Sequence, residues 1–443
     1  MELSLNITNY KMCLVQNAEQ KIEKLNKTVR LTVLCALAGI PLVFVPLKGE
    51  TDYFYLPKVV SMITLIISFL VMQLKNQIKL SSLIKNDLVN KTLLIYFVLI
   101  VLSVFSADNK LLALYGIPGR YEGLITIILY FMLFIIARLY NEFNDRLFII
   151  ILTTGIIVSI YGIIQTFGID PFPRDIMRIT WGARAFSTMG NPNFLGSYIV
   201  LIIPASIYLY IIKQNYIGLV GYIILFYCLL STNTRGAWLG TIVSIMCFMT
   251  MHYINYKYNK AEFKRYIILF IITIIILLLY NYNSDGALLN RFLTISADAK
   301  EFLTDGDRAD YTGAHRGFIW KHVMELIKMK PITGHGLENL GEVFVKYYSE
   351  DMIELWGQVR YPDKAHNEYL HIAVTSGIPS LLIYLSFILL IIRNGLIKLK
   401  NNNLMILLLS SVIGYMAAAF FNISVVSVVY IYWIFLGLIA SYK

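Results

Sequence analysis

The chain repeatedly runs for about 17 to 25 residues with almost no charged side chain, a length that lets a helix cross the hydrocarbon core of a bilayer. Of its 443 residues, 58% are hydrophobic and only 15% are charged, against about 25% charged in a typical soluble domain. In lipid every backbone polar group needs an internal partner, and at this segment length only helices provide one. The sequence therefore predicts an all-α polytopic membrane protein.

We predict about twelve transmembrane helices in one membrane domain. Residues 1–30 form a cytosolic N-terminal segment, 31–281 hold transmembrane helices 1–9, 282–366 form a large extracytoplasmic loop with short amphipathic helices, and 367–443 hold helices 10–12. The twelve apolar segments are 31–47, 53–73, 91–106, 123–138, 147–167, 194–213, 216–232, 236–254, 266–281, 367–395, 403–420 and 424–441.

The distribution of Lys and Arg predicts the orientation. With the N-terminus inside, the inner segments hold 20 of these residues and the short outer loops hold 8. The remaining 10 lie in the long insertion, which the positive-inside rule does not count. We therefore expect both termini to be cytosolic and the long loop to face outward, away from the cytosol. Because the basic residues lie in short loops, the net charge of +11 indicates membrane lipids as partners and no nucleic acid.

Two arginine-containing turns lie on the predicted outer side. Arg235 in "STNTRGAWLG" stands in the tight turn between spans seven and eight, where an arginine opposes the positive-inside bias. This favours a site role for Arg235 over interfacial snorkelling. In "RAFSTMGNPNFLGS", Asn193 is expected to cap the sixth span and Arg184 precedes it. These two residues form either a capped helix with a solvated arginine or an arginine and a helix N-terminus that face an anion.

The stretch "HRGFIWKHVMELIKMKPITGHG", residues 315–336, predicts an amphipathic helix on the membrane domain. Between Arg316 and Lys330 apolar residues recur at helical spacing, and Pro331 and Gly334 end the run. Arg316 and Trp320 are four residues apart and share a face. A surface helix with an exposed arginine is the alternative interpretation.

The stretch "KAHNEYLHIAVTSGIPS", residues 364–380, places polar groups directly before an apolar run. Asn367 is expected to cap the tenth span and to leave His366 just outside it. His371 follows His366 by five residues, whereas the zinc motif H-E-x-x-H needs a spacing of four. His366 is either a site residue or an interfacial hydrogen-bonding group, and Glu368 has no assigned role.

Asp305, Asp307 and Asp310 are close together in the long loop. Some lipid-sugar transferases hold a divalent metal with paired aspartates, but a solvated polar loop gives the same spacing. We predict no metal and no cofactor.

Outer-face arginines and one histidine suit one kind of chemistry. Arginine binds phosphate oxygens bidentately and keeps its charge, and histidine accepts a hydroxyl proton near neutral pH. A hydroxyl that attacks a sugar carbon while a lipid diphosphate leaves requires both functions.

The order of "GNPNFLG", "TRGAWLG", "RGFIW" with "PITGHG", and "HNEYLHIAVTSGIPSLL" resembles the O-antigen ligase and polymerase family of bacterial membrane glycosyltransferases. The resemblance runs from about residue 184 to 390. It implies an undecaprenyl-diphosphate-linked oligosaccharide donor, a glycan or lipid-glycan acceptor, and metal-independent transfer with inversion. By the same resemblance, His366 is the base or acceptor-positioning residue, and Arg235 and Arg316 are the family arginines. Arg184, Asn193, Trp320 and Asn367 are expected to bind substrate. His335 stands where the family usually has a small or apolar residue.

Three activities share this donor chemistry: ligation of a glycan to a lipid A core, polymerisation of repeat units, and transfer to protein hydroxyls. The high Ile, Lys and Asn content resembles an AT-rich coding bias, which occurs in many bacteria that lack lipopolysaccharide. This favours polymerisation of a surface polysaccharide over ligation. A transporter or flippase is the alternative from another class, but transporters keep ionisable groups near the midplane, which is nearly free of charge here.

Overall fold

The computed structural model describes residues 2–45, 52–79, 84–142, 144–170, 180–286, 288–291, 293 and 312–441. Across these ranges the protein is all-α, as predicted, and no strand occurs. The helices used below are α1 (Glu2–Leu34), α2 (Tyr55–Lys75), α3 (Leu88–Phe105), α4 (Lys110–Tyr115), α5 (Leu124–Arg138), α6 (Asp145–Thr166), α7 (Pro192–Ile211), α8 (Tyr216–Ser231), α9 (Arg235–Tyr256), α10 (Lys260–Asn283), α11 (Thr312–Met329), α12 (Leu340–Trp356), α13 (Glu368–Ser376), α14 (Ile378–Leu399), α15 (Leu404–Ala419) and α16 (Val429–Ile439).

The described helices confirm a polytopic membrane protein. Eight of them are long and apolar enough to cross a membrane, the first being Glu19–Leu42, which joins α1 to a π turn and a 3₁₀ turn. The shorter apolar helices α5, α8, α15 and α16 accompany them. Together these helices occupy the twelve predicted segments.

Two predicted spans differ from the structure. The first apolar span begins at Glu19, earlier than the predicted residue 31, because no helix-breaking residue interrupts α1. The predicted continuous span 367–395 is wrong, since Gly377 separates α13 from α14 with φ +87°. That conformation suits glycine, and a Cβ at Gly377 would lie 2.0 Å from the carbonyl oxygen of Ile332.

Helix α7 lies at the centre of the bundle, where almost all of its side chains are buried. It contacts α6, α8, α9 and α15. Helices α9 and α15 approach each other closely because glycines meet at their crossing, and a Cβ at Gly240 would lie 2.6 Å from the carbonyl oxygen of Gly414. Small residues allow this kind of close packing between helices in lipid.

The described part of the long loop has a small core of its own. Phe318, Val323 and Leu326 on α11 pack with residues of α12 and α13. The amphipathic helix predicted between Arg316 and Lys330 is confirmed as part of α11, which ends at Met329. Its apolar face therefore covers one end of the bundle.

The loops form two groups at opposite ends of the bundle. At one end, which we call the site end, Asn422 Nδ2 donates to Ser197 Oγ at 2.8 Å. At the other end, Asn141 Nδ2 donates to Asn26 Oδ1 at 2.9 Å. The site end comprises residues 106–123, 184–191, 232–235, 330–368 and 420–428. This grouping agrees with the predicted assignment of loops to two sides, while the direction in which each end faces stays a prediction.

Candidate functional site

Residues 363–368, which surround the predicted base His366, are held by hydrogen bonds to several elements. From the loop between α4 and α5, Arg120 Nε donates to Asp363 Oδ2 at 2.7 Å. Lys364 Nζ donates to Glu338 Oε1, and both of these side chains are buried. Removing one partner of a buried ion pair leaves an uncompensated charge, which is strongly destabilising. These two ion pairs therefore fix the start of the segment.

Trp320 and Asn367 hold the middle of the same segment. Trp320 Nε1 on α11 donates to the carbonyl oxygen of Ala365 at 2.9 Å. Asn367 Oδ1 accepts from the backbone N–H groups of Tyr369 and Leu370 at 3.0 and 3.1 Å. The predicted helix cap at Asn367 is thus confirmed. The expected substrate-binding roles of Trp320 and Asn367 stay predictions.

Glu368, which had no assigned role, connects the segment to the loop between α15 and α16. Its carboxylate accepts from the backbone N–H of Ser424 at 2.6 Å and from the hydroxyl of Ser424 at 2.7 Å. Burial raises the pKa of Glu368, and the two hydrogen bonds from Ser424 oppose that rise. No sequence signal pairs these residues, which are 56 positions apart.

His366 stands in the middle of this anchored segment with a left-handed backbone, φ +51°. Its side chain makes no hydrogen bond or ion pair with the described residues. Burial, followed by the positive charge of Arg316, lowers the pKa of His366 to about 4. The imidazole is therefore neutral at physiological pH and can accept a proton.

Arginine side chains from three parts of the chain lie within range of one another's charge, and one of them, Arg316, also affects His366. Burial and the charges of Arg235 and Arg291 lower the pKa of Arg316. Burial and the charge of Arg291 lower the pKa of Arg184 to about 10. We call Arg184, Arg235, Arg291 and Arg316 the arginine cluster. Mutual repulsion of like charges is relieved when an anion binds between them.

Arg184 and Asn193 are linked to the turn before Arg235. Arg184 Nε donates to the carbonyl oxygen of Thr232 at 2.9 Å, and its Nη2 lies 3.4 Å from the hydroxyl of Thr234. That hydroxyl donates to Asn193 Oδ1 at 3.2 Å.

The prediction that Asn193 caps the sixth span is wrong. Asn191 is the N-cap of α7, and its Oδ1 accepts from the backbone N–H of Asn193 at 2.8 Å. Pro192 occupies the first helical position, which its fixed φ favours, and this sets the start of the helix two residues earlier. The side chain of Asn193 does not cap the helix and accepts a hydrogen bond from the Thr234 hydroxyl instead.

His335 has a structural contact. Its Nε2 lies 3.0 Å from the carbonyl oxygen of Leu326, and its backbone N–H donates to the carbonyl oxygen of Val374 at 2.8 Å. The neighbouring Gly334 has φ +65°, and a Cβ there would lie 2.4 Å from the backbone of Thr375. This turn therefore packs directly on α13.

The structure brings all seven predicted site residues to the site end. His366 lies within range of the charge of Arg316, which lies within range of the charge of Arg235. Trp320 and Asn367 hold the His366 segment, and Arg184 is in the arginine cluster. Asn193 contacts Thr234 in the turn before Arg235. Within the described residues, no group of three or more histidine, cysteine, aspartate or glutamate side chains has a geometry that could hold a metal ion. Asp305, Asp307 and Asp310 lie outside the described residues.

Sequence reasoning missed Arg120, Arg291 and Lys364. Arg120 lies between Asp363 and the ring of Phe194, whose centroid is 5.7 Å from the guanidinium carbon. Arg120 is one of the eight Lys and Arg residues in the short outer loops, where an arginine carries the same signal as Arg235. Arg291 and Lys364 belong to the long insertion, where the charge rule gives no information.

Trp320→Phe is expected to lower catalytic turnover roughly fivefold with little change in substrate KM, because one hydrogen bond to the His366 segment, worth on the order of 1 kcal/mol, is lost. Steady-state kinetics of the purified variant measures this. Trp356→Phe, on α12 and away from the segment, is the matched control. Equal effects of the two substitutions would contradict a positioning role for Trp320.

Comparisons with known proteins match the part of the chain that contains much of this candidate site. Residues 220–385 match the family model described as O-antigen ligase, and this range contains Arg235, Arg316 and His366. A protein of Haemophilus influenzae, named as uncharacterized, is 26% identical over 394 residues, which cover 86% of this chain and 88% of that protein. A general O-oligosaccharyltransferase of Acinetobacter baylyi is 25% identical over 236 residues, which cover 52% of this chain and 38% of that protein.

No solved structure is significantly similar to the chain. The resemblance to the O-antigen ligase and polymerase family that the motifs predicted is confirmed by the family match.

Proposed function

We propose that the protein transfers a glycan from an undecaprenyl-diphosphate-linked donor to an acceptor hydroxyl, at the extracytoplasmic face of a bacterial cytoplasmic membrane. The observation that carries the proposal is the placement of buried His366 within range of the charge of Arg316, which in turn lies within range of Arg235 and Arg291. The family match and the O-oligosaccharyltransferase relative support a glycan-transferring membrane enzyme. The site end is taken to face outward because of the Lys and Arg distribution.

In this proposal the arginine cluster binds the donor diphosphate. The guanidinium group of Arg316 is repelled by those of Arg235 and Arg291 in the free protein. A diphosphate bound between these groups would offset that repulsion by attracting each of them. As the bond from the sugar carbon to the diphosphate oxygen breaks, negative charge accumulates on the leaving group. Preorganised cations stabilise that charge in the transition state.

His366 takes the proton from the acceptor hydroxyl. The hydroxyl oxygen forms the new glycosidic bond on the face opposite the diphosphate, which gives inversion at the sugar carbon. Before the donor binds, burial and then the positive charge of Arg316 lower the pKa of His366. Donor binding adds negative charge near Arg316 and so raises that pKa, which makes the imidazole a stronger base when both substrates are present.

Polymerisation, ligation and protein glycosylation differ in the acceptor that receives the glycan. Composition favours polymerisation of repeat units, whereas the similarity to an O-oligosaccharyltransferase favours transfer of an oligosaccharide to a hydroxyl of another molecule. The residues that would bind donor serve both activities. The transfer step itself is common to both activities.

Product analysis tests the proposal. Purified protein in lipid vesicles is given a defined undecaprenyl-diphosphate-linked oligosaccharide, first alone and then with a lipid-glycan or a protein acceptor. Wild type is expected to consume donor and to release undecaprenyl diphosphate. A product ladder with donor alone indicates polymerisation, and one added oligosaccharide per acceptor indicates ligation or protein glycosylation.

Two results would overturn the proposal. One is intact donor with every acceptor under conditions in which the protein is folded. The other is movement of the intact donor between leaflets without cleavage of its diphosphate bond, which would indicate a flippase.

A further inference from the structure

A polar cavity of about 70 Å³ lies behind the His366 segment, at the junction of α3, α5, α13, α14 and α16. Its ionisable lining residues are Glu122, Glu338, Lys364, Glu368 and His371, accompanied by tyrosines. A space of this size and polarity accommodates a few water molecules, since one requires roughly 10 to 15 Å³. The mechanism proposed above uses none of these groups in the chemical step.

The cavity has an imbalance of charge. It contains three carboxyl groups, one ammonium group and one imidazole. Lys364 pairs with Glu338, and Glu368 accepts hydrogen bonds from Ser424. The remaining carboxyl, Glu122, accepts a hydrogen bond from the Tyr130 hydroxyl at 2.6 Å. Burial raises the pKa of Glu122 and of Glu368, so these two carboxyl groups keep a proton more readily than exposed carboxyl groups do.

His371 points to a connection between this cavity and His366. It lines the cavity from α13, and its Nε2 lies 3.4 Å from Lys364 Nζ. Its Nδ1 is buried and has no hydrogen-bond partner in the part of the chain that the structure describes. His371 also lies close enough to His366 for the charge of His366 to affect its pKa, which burial lowers first of all.

We propose that Glu122, together with Glu338, Lys364, Glu368 and His371, forms a buried proton-binding site that receives the proton His366 removes from the acceptor hydroxyl. This inference rests on the proposed function. The O–H bond of the acceptor breaks, and its electron pair forms the glycosidic bond. The bond between the sugar carbon and the diphosphate breaks, and its electrons leave with the diphosphate. The proton passes from the His366 imidazole through water to the Glu122 carboxylate. It is then released to bulk water as the products leave, so that His366 and Glu122 are both unprotonated for the next turnover.

Glu122 has the ionisation behaviour that this role requires. Burial raises the pKa of Glu122 to about 7, although the charge of Lys364 and the Tyr130 hydrogen bond oppose the rise. The carboxylate form that can accept a proton therefore predominates only above about pH 7. The charged and titratable groups that face Glu122 from the surrounding elements are Tyr96, Tyr130, Glu338, Lys364, Glu368, His371, Tyr384, Tyr415 and Tyr432.

The first test uses Glu122→Gln, which keeps the shape of the side chain and removes its ionisation. Wild-type turnover is expected to rise with pH through about 7. In Glu122→Gln, kcat is expected to fall about tenfold or more at pH 8 and to lose this dependence, with donor KM unchanged. Infrared spectra between pH 5 and 9 should show a protonated carboxyl band that disappears near pH 7 in wild type and is absent from the variant. Glu342→Gln, a carboxyl outside the cavity, is the matched control.

Tyr130→Phe is a second variant, for which the direction of the change in the pKa of Glu122 can be derived. The Tyr130 hydroxyl stabilises the charged form of Glu122, so its removal raises the pKa of Glu122. The pH at which kcat rises and the pH at which the protonated carboxyl band disappears are both expected to increase. The proton-binding site is overturned if Glu122→Gln keeps wild-type kcat and pH dependence while His366→Asn is inactive. If His366→Asn is itself active, the role of His366 as the base fails instead; if the wild type transfers no glycan, the proposed function fails, and the infrared result still decides whether Glu122 holds a proton.

Discussion

His366→Asn is expected to reduce glycan transfer by roughly 10²- to 10⁴-fold, the usual contribution of a general base. Asparagine is the informative replacement because it tolerates the left-handed backbone at this position, φ +51°. It can form hydrogen bonds but cannot accept the hydroxyl proton. Turnover of a defined lipid-linked oligosaccharide measures the loss. His366→Ala adds backbone strain, and a larger loss of stability in that variant would reveal it.

The matched control is His252→Gln. His252 is a buried histidine at the opposite end of the bundle, where its Nδ1 lies 3.0 Å from the Tyr266 hydroxyl. This variant is expected to keep transfer activity. Retention of more than about a tenth of wild-type turnover by His366→Asn would contradict its role as the base.

Titration of His366 checks the same role without turnover. In the free protein its pKa is lowered to about 4 from the ordinary 6.5, by burial first and then by Arg316. Folded protein thus binds fewer protons than unfolded protein between these values, and stability falls as pH drops through that window. His366→Asn is expected to be less acid-sensitive. Inorganic pyrophosphate in the arginine cluster should raise the pKa of His366, as seen by NMR of labelled histidine, and no shift on saturation would argue against a shared site.

Arg316→Gln is expected to lower kcat roughly 10²- to 10³-fold, comparable with the loss of one preorganised donor to a developing oxyanion. The same substitution should raise the melting temperature of the ligand-free protein, because it removes repulsion with Arg235 and Arg291. Thermal stabilisation by pyrophosphate should shrink at the same time. Together these outcomes distinguish an anion-binding role of Arg316 from a purely structural role. If the role were structural, the substitution would lower the stability of the protein.

Arg360→Gln is the matched control for this prediction. Arg360 is an exposed arginine of the same loop, with its guanidinium 5.1 Å from the centre of the Trp356 ring. Its substitution should change neither the kinetics nor the response to pyrophosphate. A destabilised Arg316→Gln variant with normal turnover would eliminate the diphosphate role.

Much of the membrane domain could be predicted from the sequence because lipid imposes a strong and local constraint. Apolar length gave the spans, and helical periodicity gave the helix that carries Arg316. A polar residue before an apolar run correctly indicated the cap at Asn367. The same local rule gave the wrong cap at Asn193, since two asparagines flank Pro192 and only Asn191 has the geometry of the cap.

The partners of the site residues could not be predicted, because they are set by tertiary contacts. Arg120 and Asp363 are 243 positions apart, and nothing in either neighbourhood indicates the other. The break at Gly377 had a signal in the sequence "SGIP", which continuous hydrophobicity on both sides obscured. Arg291 had no signal at all until folding brought it beside Arg316.

The stretch from Asp363 to Glu368 has a consequence for how such a protein can change in evolution. Asp363, Lys364, Ala365 and Glu368 each contact a different part of the chain, and Asn367 begins a helix. Inserting or deleting one residue here would shift several of these contacts out of register together. Length variation between relatives should therefore be absent from these six positions. New acceptor specificities would then have to arise by substitution around an unchanged frame.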